Sequence, residues 1–236
     1  MNIITVKDYD TMSKMAAGII AAQINTKPDT VLGLATGSSP LGTYRNLIEM
    51  NQNGLVDFSK VVTFNLDEYC GLSRENPQSY YYFMMENLFK HVNIPKENIH
   101  IPNGLAKDTD EECKNYELQI KKANGVDLQL LGIGFNGHIG FNEPDDVFHN
   151  FTRRVKLTQS TIEANKRFFE SADDVPRYAI SMGIKTIMSA RKIILVAGPE
   201  KREIIDKLRE EVCTPQVPAS ILHYHPDCTV FWAEKE

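Results

Sequence analysis

In the run GIGFNGHIGFNEP, four glycines (Gly132, Gly134, Gly137 and Gly140) alternate with apolar residues and bracket Asn136, His138, Asn142 and Glu143. A regular helix would lose about 1 kcal/mol at each glycine relative to alanine, so this run reads as a tightly turned backbone presenting polar groups to a ligand. His138 carries protons near neutrality, and Glu143 polarises or orients it if the turn brings the two together. The remaining histidines, His91, His100, His149, His223 and His225, lack the companion spacing of a metal site.

Three further segments carry chemistry. Asp67 and Glu68 follow the apolar run VVTFNL, and a carboxylate there serves as a general base if burial and neighbours raise its pKa. The plain alternative is a solvated loop acid that caps a turn. Thr36-Gly37-Ser38-Ser39-Pro40 sits between a strand and a helix, where glycine permits close backbone approach and hydroxyls with free helix amides cradle a phosphate. It matches neither GxxxxGK[ST] nor GxGxxG, which argues against a nucleotide loop, and it reads equally as an ordinary N-cap turn. Arg167 in ANKRFF and Lys201 in AGPEKRE are candidate phosphate partners. Both could equally face solvent, with Lys166 or Arg202 as the inward member.

Short β-rich runs alternating with amphipathic helical stretches must position these groups. Strands are expected over Asn2 to Val6, Thr30 to Leu34, Lys60 to Asn65, the NIHIPNG segment, Val126 to Gly132, Phe151 to Thr158, Arg191 to Ala197 and Cys228 to Trp232. Helices are expected after Asp8, with Met12, Met15, Ala16, Ile19 and Ile20 on one face, and from about Pro40 to Met50, Gln78 to His91, Asp108 to Ala123, Thr161 to Phe169 and Gly183 to Ser189. A last helix starts at Pro199 and carries Ile204, Ile205, Leu208 and Val212 inward. The alternation implies an α/β fold, a three-layer α/β/α sandwich with a mostly parallel, Rossmann-like central sheet. Ligands of such sheets collect outside the carboxyl ends of the strands, where ATGSSP, NLDEY, GIGFNGHIGFNEP and AGPEK all fall.

The 236 residues suit one cooperative domain spanning 1–236, with no repeat, Gly/Ser linker or long charge block to divide them. A formal charge of -5 gives no general field for nucleic acid or an anionic membrane, yet leaves room for a local cationic pocket. No signal peptide or membrane span is readable. Cys70, Cys113, Cys213 and Cys228 are scattered without CxxC spacing and read as reduced thiols of a cytoplasmic protein.

Taken together, LATGSSPLGTY, VVTFNLDEYCGL, NPQSYYYFM, IHIPNG, LLGIGFNGHIGFNEP and PASILHYHP resemble the glucosamine-6-phosphate deaminase family, in order and over almost the whole chain. The resemblance implies conversion of glucosamine 6-phosphate and water to fructose 6-phosphate and ammonia, with no cofactor or metal. It implies Asp67 as the enolisation base, His138 as the ring-opening base and Glu143 as the acid assisting it. Asn136 holds a ring-opening position that is aspartate in some members, and an amide orients imidazole without offering a full negative charge. The phosphate would lie against Thr36, Gly37, Ser38 and Ser39, with Arg167 and Lys201 as its cationic contacts. The only partner implied is the amino-sugar phosphate itself, with the chain a monomer or small homo-oligomer. The 6-phosphogluconolactonases share the broad fold and phosphate loop, so lactone hydrolysis is the alternative enzymatic reading and sugar-phosphate sensing the non-enzymatic one.

Overall fold

The structure is a computed structural model that describes residues 1–165, 169 and 174–235. Seven parallel strands form the main sheet: β1 (Asn2–Val6), β2 (Val31–Leu34), β3 (Val62–Asn65), β5 (Ile99–His100), β6 (Leu128–Leu131), β9 (Lys192–Ala197) and β10 (Cys228–Ala233). Their spatial order is β1-β10-β9-β6-β2-β3-β5. β6, β9 and β10 are near-continuous apolar runs because both of their faces are covered.

One face packs on α1 (Tyr9–Thr26), α2 (Leu41–Gln52) and α3 (Tyr80–Asn87), burying Met12, Ile20, Tyr44, Leu47 and Met84. The other packs on α4 (Thr109–Lys122), α6 (Ile184–Met188) and α7 (Arg202–Arg209), burying Tyr116, Ile120, Ile187, Ile204 and Leu208. The three-layer α/β/α arrangement is therefore as expected. Helix starts follow local chemistry: Asp8 accepts from the Thr11 amide at 2.8 Å, and Asp108 accepts from the Asp110 and Glu111 amides at 3.0 Å. Among the described residues no helix is long and apolar enough to cross a membrane.

A second sheet was not expected. β4 (Asp67–Tyr69) and β7 (Arg153–Lys156) flank β8 (Tyr178–Ser181), both antiparallel to it. DEY thus forms a strand of its own beyond the Lys60 to Asn65 run, and β8 lies in a stretch for which no element was expected. Three- and four-residue strands give too short a pattern to register as alternation; pairing to one another defines them. Together with α5 (Gln159–Asn165), this sheet builds a small core of Tyr69, Phe141, Val155, Leu157, Ile162 and Ala179. Two helix extents also differ. The Gln78 to His91 stretch splits into α3 and a 3-10 turn at Phe89–His91, and α7 stops at Arg209, which leaves Val212 60% exposed.

At the amino ends of the strands, Asp127 clips the main sheet to α1. Its buried carboxylate accepts from the Val31 amide at 2.8 Å, Thr30 Oγ1 at 3.1 Å, Lys27 Nζ at 2.7 Å and Arg191 Nη1 at 3.1 Å. Burial pushes its pKa up, but Lys27 and the Val31 amide outweigh this and leave it below the ordinary value. The stabilisation from this group is therefore complete at neutral pH and is lost as pH falls through the depressed folded value. Asp127→Asn should lower unfolding free energy by about 1–3 kcal/mol at pH 7, mostly through the Val31 amide, because the two cations keep solvent access. Urea denaturation checks this, and the deficit should shrink as the pH is lowered toward 3; a pH-independent deficit would contradict it.

Candidate active site

Strand order places the site. From β2 the chain proceeds to β3 and β5 on one side, whereas β6, β9 and β10 lie on the other, so direction reverses between β2 and β6. A crevice opens outside their carboxyl ends, between the Thr36–Ser39 loop and the Gly132–Gly140 turn. A cavity of about 590 Å³ occupies it, lined by Thr36, Gly37, Ser38, Ser39, Asp67, His138, Thr161 and Lys201 among others.

The pleat of β4 separates its two acids. Asp67 and Tyr69 line this cavity, and Glu68 points the other way, toward a separate cavity of about 380 Å³. Glu68 is a buried helix cap: its carboxylate accepts from the amides of Tyr69 at 2.8 Å and of Tyr80 and Tyr81 at 2.9 Å, which fixes the start of α3. Among the described residues, no hydrogen bond reaches the Asp67 side chain, which is 6% exposed. Burial, with a smaller push from the Glu68 charge, raises its pKa from 3.8 to about 8. Tyr69, Tyr80 and Phe141 pack ring to ring on the wall of the cavity that Asp67 also lines. The solvated-acid alternative for Asp67 and Glu68 is thereby excluded.

The glycine-rich turn folds His138 back over its own backbone. The Gly134 amide donates to the His138 carbonyl at 2.9 Å, and a Cβ on Gly134 would stand 2.2 Å from the imidazole, so only glycine fits. Gly137, at φ 84°, turns the chain where most side chains would be strained. Glu143 feels a raising effect of burial, but His138, Thr161 and Asn136 outweigh it and hold the carboxyl down at about 2. An ionised Glu143 can only accept, so Asn136 must turn its Nδ2 toward it, at 2.6 Å, and its Oδ1 toward His138 Nδ1, at 2.8 Å. His138 therefore carries its proton on Nδ1 and leaves Nε2 as the basic nitrogen. Glu143 Oε2 lies 3.5 Å from Nδ1, close enough to stabilise an imidazolium. The full negative charge that the Asn136 amide lacks is thus supplied one residue further along the chain of bonds.

At the opposite side, the amides before α2 and the Ser38 and Ser39 side chains open toward solvent. Tyr9 braces them, its hydroxyl donating to the Ser38 carbonyl at 2.9 Å and accepting from the Gly42 amide at 2.9 Å. Lys201, 8% exposed, lines the cavity with Nζ 3.3 Å from the Phe135 ring centroid; Arg202 instead lies over the Trp232 ring. Lysine 201 is accordingly the inward member of its pair. Arg167 and Lys166 lie outside the described residues. Burial pushes the Cys113 and Cys228 thiols up, to about 11 and about 12, which suits structural cysteines. Tyr9, Thr161 and Phe135 had not been singled out; each acts through a contact between distant segments that no local pattern encodes. Glu68 had been read with Asp67 as a candidate general base, and its three backbone amides make it a helix cap instead.

Residues 8–232 match the family described as glucosamine-6-phosphate isomerases/6-phosphogluconolactonase. The chain belongs to this family. Among its members, the glucosamine-6-phosphate deaminase of Thermoanaerobacter pseudethanolicus is 58% identical over 98% of this chain and 91% of its own length. That of Lachnoclostridium phytofermentans is 57% identical over 98% of both. The solved structure of a monomeric glucosamine-6-phosphate deaminase superposes with a TM-score of 0.96 at 44% identity, over 99% of this chain and 97% of that one. A family member from Thermotoga maritima, a 6-phosphogluconolactonase, superposes with a TM-score of 0.72 at 18% identity over 100% of this chain and 99% of that one, a likeness of fold. The resemblance read from the sequence motifs is therefore to the right branch of the family.

Two outcomes follow from this geometry. Because folded Asp67 retains a proton that the unfolded chain releases between 3.8 and about 8, protein stability should fall as pH rises through that window. Asp67→Asn should remove that fall, so the variant is more stable than the parent at pH 8.5 and no more stable at pH 3.5, as chemical denaturation at the two values would show. Asn136→Asp loses the donor to Glu143 and sets a like charge within about 2.6 Å of it. The Glu143 carboxyl should then titrate well above 2 in a carbon-detected NMR titration, and an unmoved value would contradict the bonding pattern.

Proposed function

We propose that the chain is an enzyme that deaminates and isomerises glucosamine 6-phosphate, giving fructose 6-phosphate and ammonia. The observation that carries the mechanism is a buried Asp67 carboxylate, without a hydrogen bond among the described residues, in the same cavity as His138. An aldose-to-ketose shift needs a base that holds a C2 proton briefly and returns it to C1, and a carboxyl with a pKa near the working range does both. Deaminases 57–58% identical to this chain support the same reading of its substrate.

His138 takes the proton of the sugar O1 hydroxyl on Nε2 and passes a proton to the ring oxygen, which breaks the bond from that oxygen to C1. Glu143 stabilises the imidazolium formed between the two transfers. Asp67 then removes the C2 proton and delivers it to C1 while the substrate's ammonium gives a proton to O1, leaving a C1 hydroxyl and a C2 iminium; water adds at C2 and ammonia departs. The substrate's own amino and carbonyl groups carry the electrons of this rearrangement. Because water cleaves the C–N bond, we class the overall reaction as a hydrolysis.

Thr36, Gly37, Ser38 and Ser39 bind the phosphate through hydroxyls and the backbone amides before α2, with Lys201 and Arg167 as counter-charges. This local field operates within a chain of formal charge -5. Residues 1–236 serve as one catalytic domain of a cytoplasmic enzyme. A monomer suffices for the reading, in keeping with the monomeric deaminase of the same fold.

Purified protein given glucosamine 6-phosphate should release ammonia and fructose 6-phosphate in equal amounts. Asp67→Asn should lose roughly 10²–10⁴-fold in turnover while still binding fructose 6-phosphate. Rapid hydrolysis of 6-phosphogluconolactone that survives Asp67→Asn, without deamination, would favour the lactonase reading. Ligand binding with no turnover of either substrate would favour a sensor.

A further inference from the structure

Glu143 is held from two sides. Asn136 Nδ2 donates to Oε2 at 2.6 Å, and the Thr161 hydroxyl donates to Oε1. Thr161 belongs to α5, not to the glycine-rich turn; it is 7% exposed and lines the cavity beside Asp67 and His138. Its amide donates to Thr158 Oγ1 at 3.2 Å, and that hydroxyl in turn donates to Thr161 Oγ1 at 3.1 Å. A threonine hydroxyl has one proton, so with Thr158 as its donor, Thr161 gives that proton to Glu143. Every bond in the row then has a defined direction: Thr158 to Thr161 to Glu143 from one end, and His138 to Asn136 to Glu143 from the other. A helical threonine uses two χ1 rotamers, and the bonds to Thr158 select the one that aims the Thr161 hydroxyl at Glu143.

We propose that Thr161 is a positioning residue for ring opening, its hydroxyl fixing the Glu143 carboxylate in register with Asn136 and His138. This rests on the reading of Glu143 as the partner of His138. Without the hydroxyl, Oε1 of a largely buried carboxylate lacks its partner, and the carboxylate is free to rotate about its last bond away from Nδ1. Thr161 touches neither Asp67 nor the Thr36–Ser39 loop through any hydrogen bond among the described residues, so its loss should spare phosphate binding and the C2 step.

The experiment is a double-mutant cycle on deamination, with Thr161→Val, Thr161→Ala and Thr161→Ser each made in the parent and in Glu143→Gln; alanine stands beside valine so that a folded variant without the hydroxyl is in hand. Valine and alanine should cut kcat/KM roughly 5- to 100-fold in the parent and by no more than about twofold in Glu143→Gln, and serine should recover most of the loss. Inhibition by fructose 6-phosphate should stay within about twofold throughout. If Glu143→Gln has no measurable turnover, the Glu143 carboxyl titration decides: an upward shift in Thr161→Val supports the proposal and an unchanged value overturns it. Equal losses in both backgrounds, serine as poor as valine, or full activity in valine would each overturn the proposal while leaving the deaminase reading standing. Absence of deamination in the parent would overturn that reading and the proposal with it.

Discussion

Water exclusion around one carboxylate governs the layout of this molecule. Asp67 is charged only at a large desolvation cost, and nothing among the described residues offers it a hydrogen bond to offset that cost. A position of this kind survives only if the surrounding structure over-determines it. The second sheet supplies that support. β4 is three residues long, yet β8 pairs with it along its length, and the rings of Tyr69, Tyr80 and Phe141 pack on one another along the cavity wall that Asp67 shares.

Asp67 and Glu68 are adjacent, both buried and both acidic, but the strand pleat sends them to different work. Glu68 spends its oxygens on three backbone amides and so anchors α3, whose Tyr80 walls the cavity. Asp67 has no hydrogen bond among the described residues and lines the larger cavity. Their proximity is also electrostatic, since the Glu68 charge adds to the effect of burial on its neighbour. The third acid, Glu143, shows the opposite solution, held ionised by Asn136, Thr161 and the His138 imidazole. Environment alone separates these three carboxylates: burial holds the proton on Asp67, backbone amides occupy Glu68, and polar neighbours keep Glu143 ionised.

Much of this was legible in the sequence where the signal was local. The long apolar strands β6 and β9 and the helices α1 and α4 declare themselves through runs, periodicity and the caps Asp8 and Asp108. His138, Glu143, Asn136 and Asp67 stood out because glycine spacing and strand-end position have direct physical meaning. What stayed hidden was non-local. β8 has four residues and gains its identity from β4 and β7, more than 20 residues away. Tyr9 meets the Ser38 carbonyl 29 positions on, and Thr161 meets Glu143 18 positions back. The exposed Val212 failed for a different reason: its helical spacing is sound, but the helix ends before reaching it.

Burial of the Asp67 carboxylate is tested most directly by the ionisation of that one side chain. Aspartate labelled at the carboxyl carbon, followed by NMR across pH in the unliganded protein and assigned by comparison with Asp67→Asn, reports it without any assay of turnover. The account predicts a resonance that titrates near 8, far above the ordinary 3.8. An Asp67 resonance that titrates within the ordinary carboxylate range would contradict it, because it would mean that water or a hydrogen-bond donor reaches the group and the small sheet does not do what its position implies.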